Sequence, residues 1–92
     1  MEKNRIVVTV VGKDTVGIIA RVCTYLANND INILDLSQSI VQGFFNMIII
    51  ADASASPLTF TAIQEGLAEL GNSMGQAIQA QREEIFEMMH RI

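Results

Sequence analysis

The stretch Val10-Val11-Gly12-Lys13-Asp14-Thr15-Val16-Gly17-Ile18-Ile19-Ala20-Arg21-Val22 constrains this chain more than any other. A β-branched run enters a short turn bounded by two glycines, and a helical pattern starts at once. Such a turn aims the first free N–H groups of the helix beyond the end of the strand. Those donors and the positive end of the helix dipole form a ready site for a carboxylate or phosphate. Thr15, or alternatively Asp14, is the predicted N-cap of that helix.

The rest of the chain is read outward from this turn. Residues 6–11 are apolar on both faces, as in a central strand. Ile19, Val22, Cys23 and Leu26 form the predicted apolar face of the first helix, which ends at Asn28-Asn29-Asp30. Residues 31–41 mix apolar side chains with Asn32, Asp35, Ser37, Gln38 and Ser39, the pattern of an edge strand. Gln42-Gly43 signals a tight turn into a third strand over 44–51. There Phe45, Met47 and Ile49 point one way, and Phe44, Ile48 and Ile50 the other.

Ser56 as N-cap and Pro57 at the first helical position predict a second helix. Its buried face carries Phe60, Ile63, Leu67 and Leu70, with Gly71 as its C-terminal cap. Residues 75–81 alternate Gln76, Ile78 and Ala80 against Ala77, Gln79 and Gln81, a polar strand suited to an edge. Residues 82–92 form the pattern of a short amphipathic helix. The order β-α-β-β-α-β predicts an α+β, ferredoxin-like βαββαβ two-layer sandwich. Its antiparallel sheet runs 4-1-3-2, with an extra C-terminal helix. One domain spans 1–92, its core over 5–82 and the final helix over 83–92. The sheet face bearing Phe44, Ile48 and Ile50 needs a cover, either a second copy or that helix.

Half of the 92 residues are hydrophobic, and the mean hydropathy of +0.34 is high for a small monomer. A domain of this size buries only somewhat more than about 60% of its unfolded surface, which favours an oligomer. The net charge of −4 and the lack of any Lys/Arg cluster argue against direct contact with nucleic acid or an anionic membrane. The single Cys23 excludes an internal disulfide and suits a reducing compartment. No signal peptide or membrane-length apolar run is visible, so the expected location is cytoplasmic.

Catalytic and metal chemistry find little support. Gly12 and Gly17 superficially match a phosphate-binding loop, but Ile18 and Ile19 stand where Lys and Ser/Thr are needed. His90 is read as a solvated surface residue and Cys23 as a small buried hydrophobe. Glu83-Glu84 are read as solvated charge at a helix start, and the five Met residues as packing. Lys13 and Arg21 flank the turn and could greet an anion. The plain alternative is that Gly12 and Gly17 only permit a sharp connection. Against it stands Asn32, whose amide on an edge strand can face the first turn of a neighbouring subunit. A carboxylate on the helix N-terminus, with an ammonium held by Asp14 and Asn32, makes a pocket for a free amino acid.

On residues 11–22, Leu26-Ala27 and Ile31-Asn32-Ile33 the sequence resembles the ACT domain, a small regulatory module that binds amino acids. The likeness covers essentially the whole chain. It extends to stand-alone single-domain ACT proteins, which also end in a Glu-Glu-Ile-Phe-Glu-type helix, here residues 83–87. The resemblance implies dimers, commonly joined edge to edge through the second strand, with effector pockets at the interface. It implies ligand binding by Gly12, Asp14, Thr15, Val16, Gly17 and Ile18 of one subunit and by Asn32 and Ile33 of the other. Two positions depart from the family: its frequent proline before the glycine is Val16, and the glycine common after the first helix is Asp30. The implied function is a non-enzymatic, amino-acid-sensing regulator of amino-acid metabolism or its gene expression. It needs no cofactor or metal and works as a homodimer, or a tetramer of paired dimers, through a protein partner. The alternative is an interaction module with no effector. An acylphosphatase-type enzyme is disfavoured because the first loop lacks an arginine.

Overall fold

The two most apolar runs become the inner strands of one antiparallel sheet in the computed structural model, which describes residues 4–13 and 15–84. The elements are β1 (Arg5–Lys13), α1 (Ile18–Asn28), β2 (Asn32–Val41), β3 (Phe44–Asp52), α2 (Phe60–Met74) and β4 (Gln76–Arg82). The sheet runs β2-β3-β1-β4, the ferredoxin-like order expected from strand polarity and right-handed crossovers. Polar β2 and β4 take the edges because an edge strand leaves one side in water.

Cross-strand partners share a face, so the register assigns the layers. Ile6, Val8 and Val10 of β1 and Phe45, Met47 and Ile49 of β3 lie on the face covered by the helices. They join Val22 and Leu26 of α1 and Ile63 and Leu67 of α2 in one core. Val7, on the other face of β1, is buried too, as a strand apolar on both sides predicts. Phe44 and Ile48 do point away from the helices, and with Val11 and Val41 they stay 43–59% exposed.

The β2–β3 hairpin turns on Gln42-Gly43, both with positive φ (51° and 81°), the type I′ pattern that matches strand twist. At the end of α1 Asp30 adopts φ 58°, the left-handed conformation where a glycine is usual.

Several local expectations are corrected. Among the described residues, neither Thr15 nor any other side chain caps α1; its N-cap is Gly17, at φ 89°. Asp14 lies outside the described residues. Because the helix then starts at Ile18, the inner stripe is Ile18, Val22 and Leu26, while Ile19 turns outward and Cys23 is half-buried. Ser56 and Pro57 precede α2 rather than open it. The Ser56 hydroxyl accepts from the Leu58 N–H, a local turn, and Thr59 is the N-cap. Gly71 does not end α2 but is buried in its last turn against the Gln76 backbone and Ile78, and Gly75 (φ 71°) is the C-cap. Arg82 belongs to β4 and lies over the Phe60 ring, 4.5 Å from its centroid. Glu83 pairs with Arg5 at 3.1 Å rather than standing free. Of the expected C-terminal helix only Glu83 and Glu84 are described, and both are helical; the remainder, His90 included, lies outside the described residues.

Candidate functional site

Gly17 gives the turn its shape. Its φ of 89° is strained for any other residue, and it lets α1 start without a side-chain cap. The N–H groups of Ile19 and Ala20 in the first turn therefore have no i−4 carbonyl in the helix and, among the described residues, no capping side chain. No acidic residue occupies the first turn of the helix, so no side chain within that turn offsets the positive end of the dipole, worth roughly half a charge. Thr15, Gly17, Ile18, Ile19, Ala20 and Phe45 line a cavity of about 270 Å³ against these donors. That volume suits a small ligand, just below the ~300–1,000 Å³ of typical pockets.

The turn is tied down from below. The Lys13 carbonyl accepts from the Thr15 hydroxyl at 3.1 Å and from the Gln76 Nε2 at 2.7 Å. Among the described residues Gln76 is the one buried polar residue, 5% exposed. Gly12 faces it across the β1–β4 pair, and a Cβ at residue 12 would run into the Gln76 carboxamide. Gly12 is thus a close-approach glycine, whereas Gly17 is a conformational one.

Of the residues named from sequence, Thr15, Gly17 and Ile18 come together at the cavity. Gly12 lies beneath the turn, and Val16 points fully into solvent. Asn32 and Ile33 are elsewhere in the same chain. Asn32 is level with Asp52 and Arg5, at the opposite end of the sheet from Gly12. Seven β1 residues at ~3.4 Å each separate the two ends by about 24 Å. Phe45 and Gln76 were missed as site residues. Their signal was parity: Phe45 shares a face with Met47, and Gln76 is a polar residue in phase with Ile78 and Ala80.

β2 is the outer strand of the sheet and is mostly exposed. A register shift between Ile33 and Asp35 marks a bulge, and the Asp35 carboxylate accepts from the Leu36 N–H at 2.8 Å. The strand from Ser37 to Val41 continues beyond that irregularity. Among the described residues no group of three or more His, Cys, Asp or Glu could hold a metal ion. No described helix is long and apolar enough to cross a membrane.

Comparison with known proteins adds independent findings. A family model described as ACT domain matches residues 4–81. A UPF0237 protein of Bifidobacterium longum is 53% identical over 89 residues, covering 97% of this chain and 99% of its own length. Among solved structures, an ACT domain protein from Streptococcus pneumoniae superposes with a TM-score of 0.79 at 32% identity, over 90% of this chain and 93% of that one. A putative glycine cleavage system transcriptional repressor shares the fold, with a TM-score of 0.77 at 23% identity over 89% of this chain and 47% of that one.

Proposed function

This chain belongs to the ACT domain family, a small-molecule-binding regulatory fold, and from that premise we propose that it is a non-enzymatic sensor of an amino acid or a related small metabolite. The observation that carries the reading is the uncapped start of α1 over its small cavity. N–H donors at a helix start with no acidic residue in its first turn favour a carboxylate, and a cavity of this size favours a compact one.

The second half of the pocket comes from a second copy. Antiparallel pairing of β2 with a twin β2 carries the Asn32 end of one strand towards the Val41 end of the other. Val41 lies in the cross-strand row of Phe44 and Lys13, beside the turn. Asn32 comes level with the twin's Val41 when the two-fold axis passes between Leu36 and Ser37. Asn32 and Ile33 then join Gly12, Thr15, Val16, Gly17 and Ile18 of the twin, with Asp14 assigned to the same site from the sequence. The ligand stabilises whichever assembly or conformation it prefers, and the output passes to a partner protein that regulates amino-acid metabolism or its gene expression. The putative glycine cleavage repressor with the same fold supports a regulatory setting of this kind. The site is placed in the cytoplasm, where such metabolites are made and consumed.

A thermal-shift screen with the twenty common amino acids tests the reading. One or a few raise the melting temperature, by the equivalent of about 2.7 kcal/mol at a hundredfold excess over Kd. No shift with any of them refutes amino-acid sensing. The exposed Val11, Val41, Phe44 and Ile48 favour a second reading, an interaction platform without effector. In that case an Asp14→Ala, Asn32→Ala double variant still co-purifies with its partner.

A further inference from the structure

Exposure changes sharply along the face of β1 that is turned away from the helices. Val7, Thr9 and Val11 follow one another there at two-residue spacing. Val11 is 47% exposed and Thr9 half-buried, yet Val7 is 2% exposed. The neighbouring β3 shows the same gradient, from exposed Phe44 and Ile48 to a half-buried Ile50 level with Val7. In the row beyond, the Arg5 Nε is shut off from water. A side chain on an uncovered sheet face keeps exposure of the Val11 kind. Something therefore lies over the Val7–Ile50 end and stops short of Val11 and Ile48.

Neither helix is that cover, because α1 and α2 both pack on the opposite face, over Ile6, Val8 and Val10. Two stretches outside the described residues adjoin this end, 1–3 before β1 and 85–92 after β4. Residues 1–3 hold one apolar side chain, Met1, and Asn4 is tied past the end of the face by bonds to Ala53 and Ser54. Residues 85–92 hold Ile85, Met88, Met89 and Ile92 at i, i+3, i+4 and i+7, an apolar stripe of the kind a helix buries. Glu83 and Glu84 are already helical, and the Glu83–Arg5 pair sets the departure of this segment beside Val7. Eight helical residues span about 12 Å. From β4 across β1 to β3 is two strand spacings, about 10 Å. The length therefore suffices to cross above Val7 and reach Ile50.

We propose that residues 85–92 fold back over the outer face of their own sheet, with Ile85, Met88, Met89 and Ile92 on Val7 and Ile50. The segment lies beyond the ACT match, which ends at residue 81, so the cover is added to the family's sheet. It closes one end of the face and confines the open apolar surface to Val11, Val41, Phe44 and Ile48. The inference stands apart from amino-acid sensing, since no ligand takes part in it.

Thiol labelling of the full-length protein tests it. In a Cys23→Ser background, Ile50→Cys and Ile48→Cys each place a single thiol on this face, the first under the cover and the second outside it. Ile50→Cys is protected from a thiol reagent relative to Ile48→Cys, and the protection is the same at every protein concentration. Adding Met88→Asp and Met89→Asp abolishes it and leaves the labelling of Ile48→Cys unchanged. Equal labelling of the two thiols overturns the inference, as does protection that survives the aspartates. Protection lost on dilution also overturns it and assigns the cover to a second copy. Should the thiol variants fail to fold, methyl cross-relaxation in native protein decides. The Met88 and Met89 methyl groups then contact Val7 and Ile50; contacts with Val11 or Ile48 instead, or with neither pair, overturn the inference.

Discussion

The hydroxyl of Tyr25, on α1, occupies the space directly over Gly66, on α2, that a methyl group at residue 66 would need. Glycine in mid-helix is ordinarily a liability of about 1 kcal/mol relative to alanine. Here it admits a phenol, and the helices are brought together at that pair. Gly66→Ala must therefore displace the ring, and overpacking of this kind costs ~1–3 kcal/mol. The expected result is a net loss of stability in denaturant titration. In a Tyr25→Ala background the clash is gone, and the same substitution gains about 1 kcal/mol. A gain in both backgrounds would refute the contact.

The same tyrosine gives a pH signature. Burial, and secondarily the charge of Glu69, push its phenol above the ordinary value of 10.0. The native state thus favours the protonated phenol. The contribution of Tyr25 to stability is level below pH 10 and falls as pH rises above it, because the unfolded chain ionises first. Tyr25→Phe removes that part of the alkaline slope. With one Tyr and no Trp in the sequence, ultraviolet absorbance reports on this group alone. Ionisation in native protein at or below the ordinary value contradicts the prediction.

Thr59 is the capping side chain of α2, accepting from the Ala62 N–H at 3.1 Å. Thr59→Ala loses about 1 kcal/mol, and Thr59→Ser or Thr59→Asp retains most of it. Ser56→Ala, removing the residue that sequence alone nominates as the cap, is expected to cost less. Equal losses at both positions would return the helix start to Ser56.

Gln42 holds φ 51° in a two-residue turn whose type favours Asn-Gly. Gln42→Asn is expected to stabilise the hairpin by about 0.5 kcal/mol, since asparagine enters the left-handed region more easily. Gly43→Ala is expected to destabilise it by about 1 kcal/mol, given φ 81° at that position. Both are read from denaturation midpoints, and a loss with Gln42→Asn would contradict the turn assignment.

The sheet order was legible because each strand carried its own environment in its composition. Residues 6–11 and 44–51 are apolar on both sides and went inside, while Asn32, Asp35, Gln79 and Gln81 marked the edges. Helix boundaries were less so, for reasons particular to each. Ser56 and Thr59 are both good caps three residues apart, and Ser56 was taken by a local turn. Gly71 and Gly75 could each have ended α2, and only the approach of the Gln76 backbone and Ile78 to Gly71 shows that the first glycine serves packing. Moving the start of α1 to Ile18 rotated its inner stripe from Ile19 to Ile18, because each residue turns a helix by about 100°.

The sequence by itself determined the element types, their order in the sheet and the glycine-bounded turn before α1, since all of these follow from periodicities and turn chemistry among near neighbours. Only the tertiary structure decided what lies under that turn. Phe45, Gly12 and Gln76 meet through two strand registers that join distant parts of the chain. Registers of that kind are set by the packing of whole faces, which no local pattern around Gly12 contains. The same packing put Asn32 at the far end of its own sheet, so that any meeting of Asn32 with the turn belongs to a pair of chains.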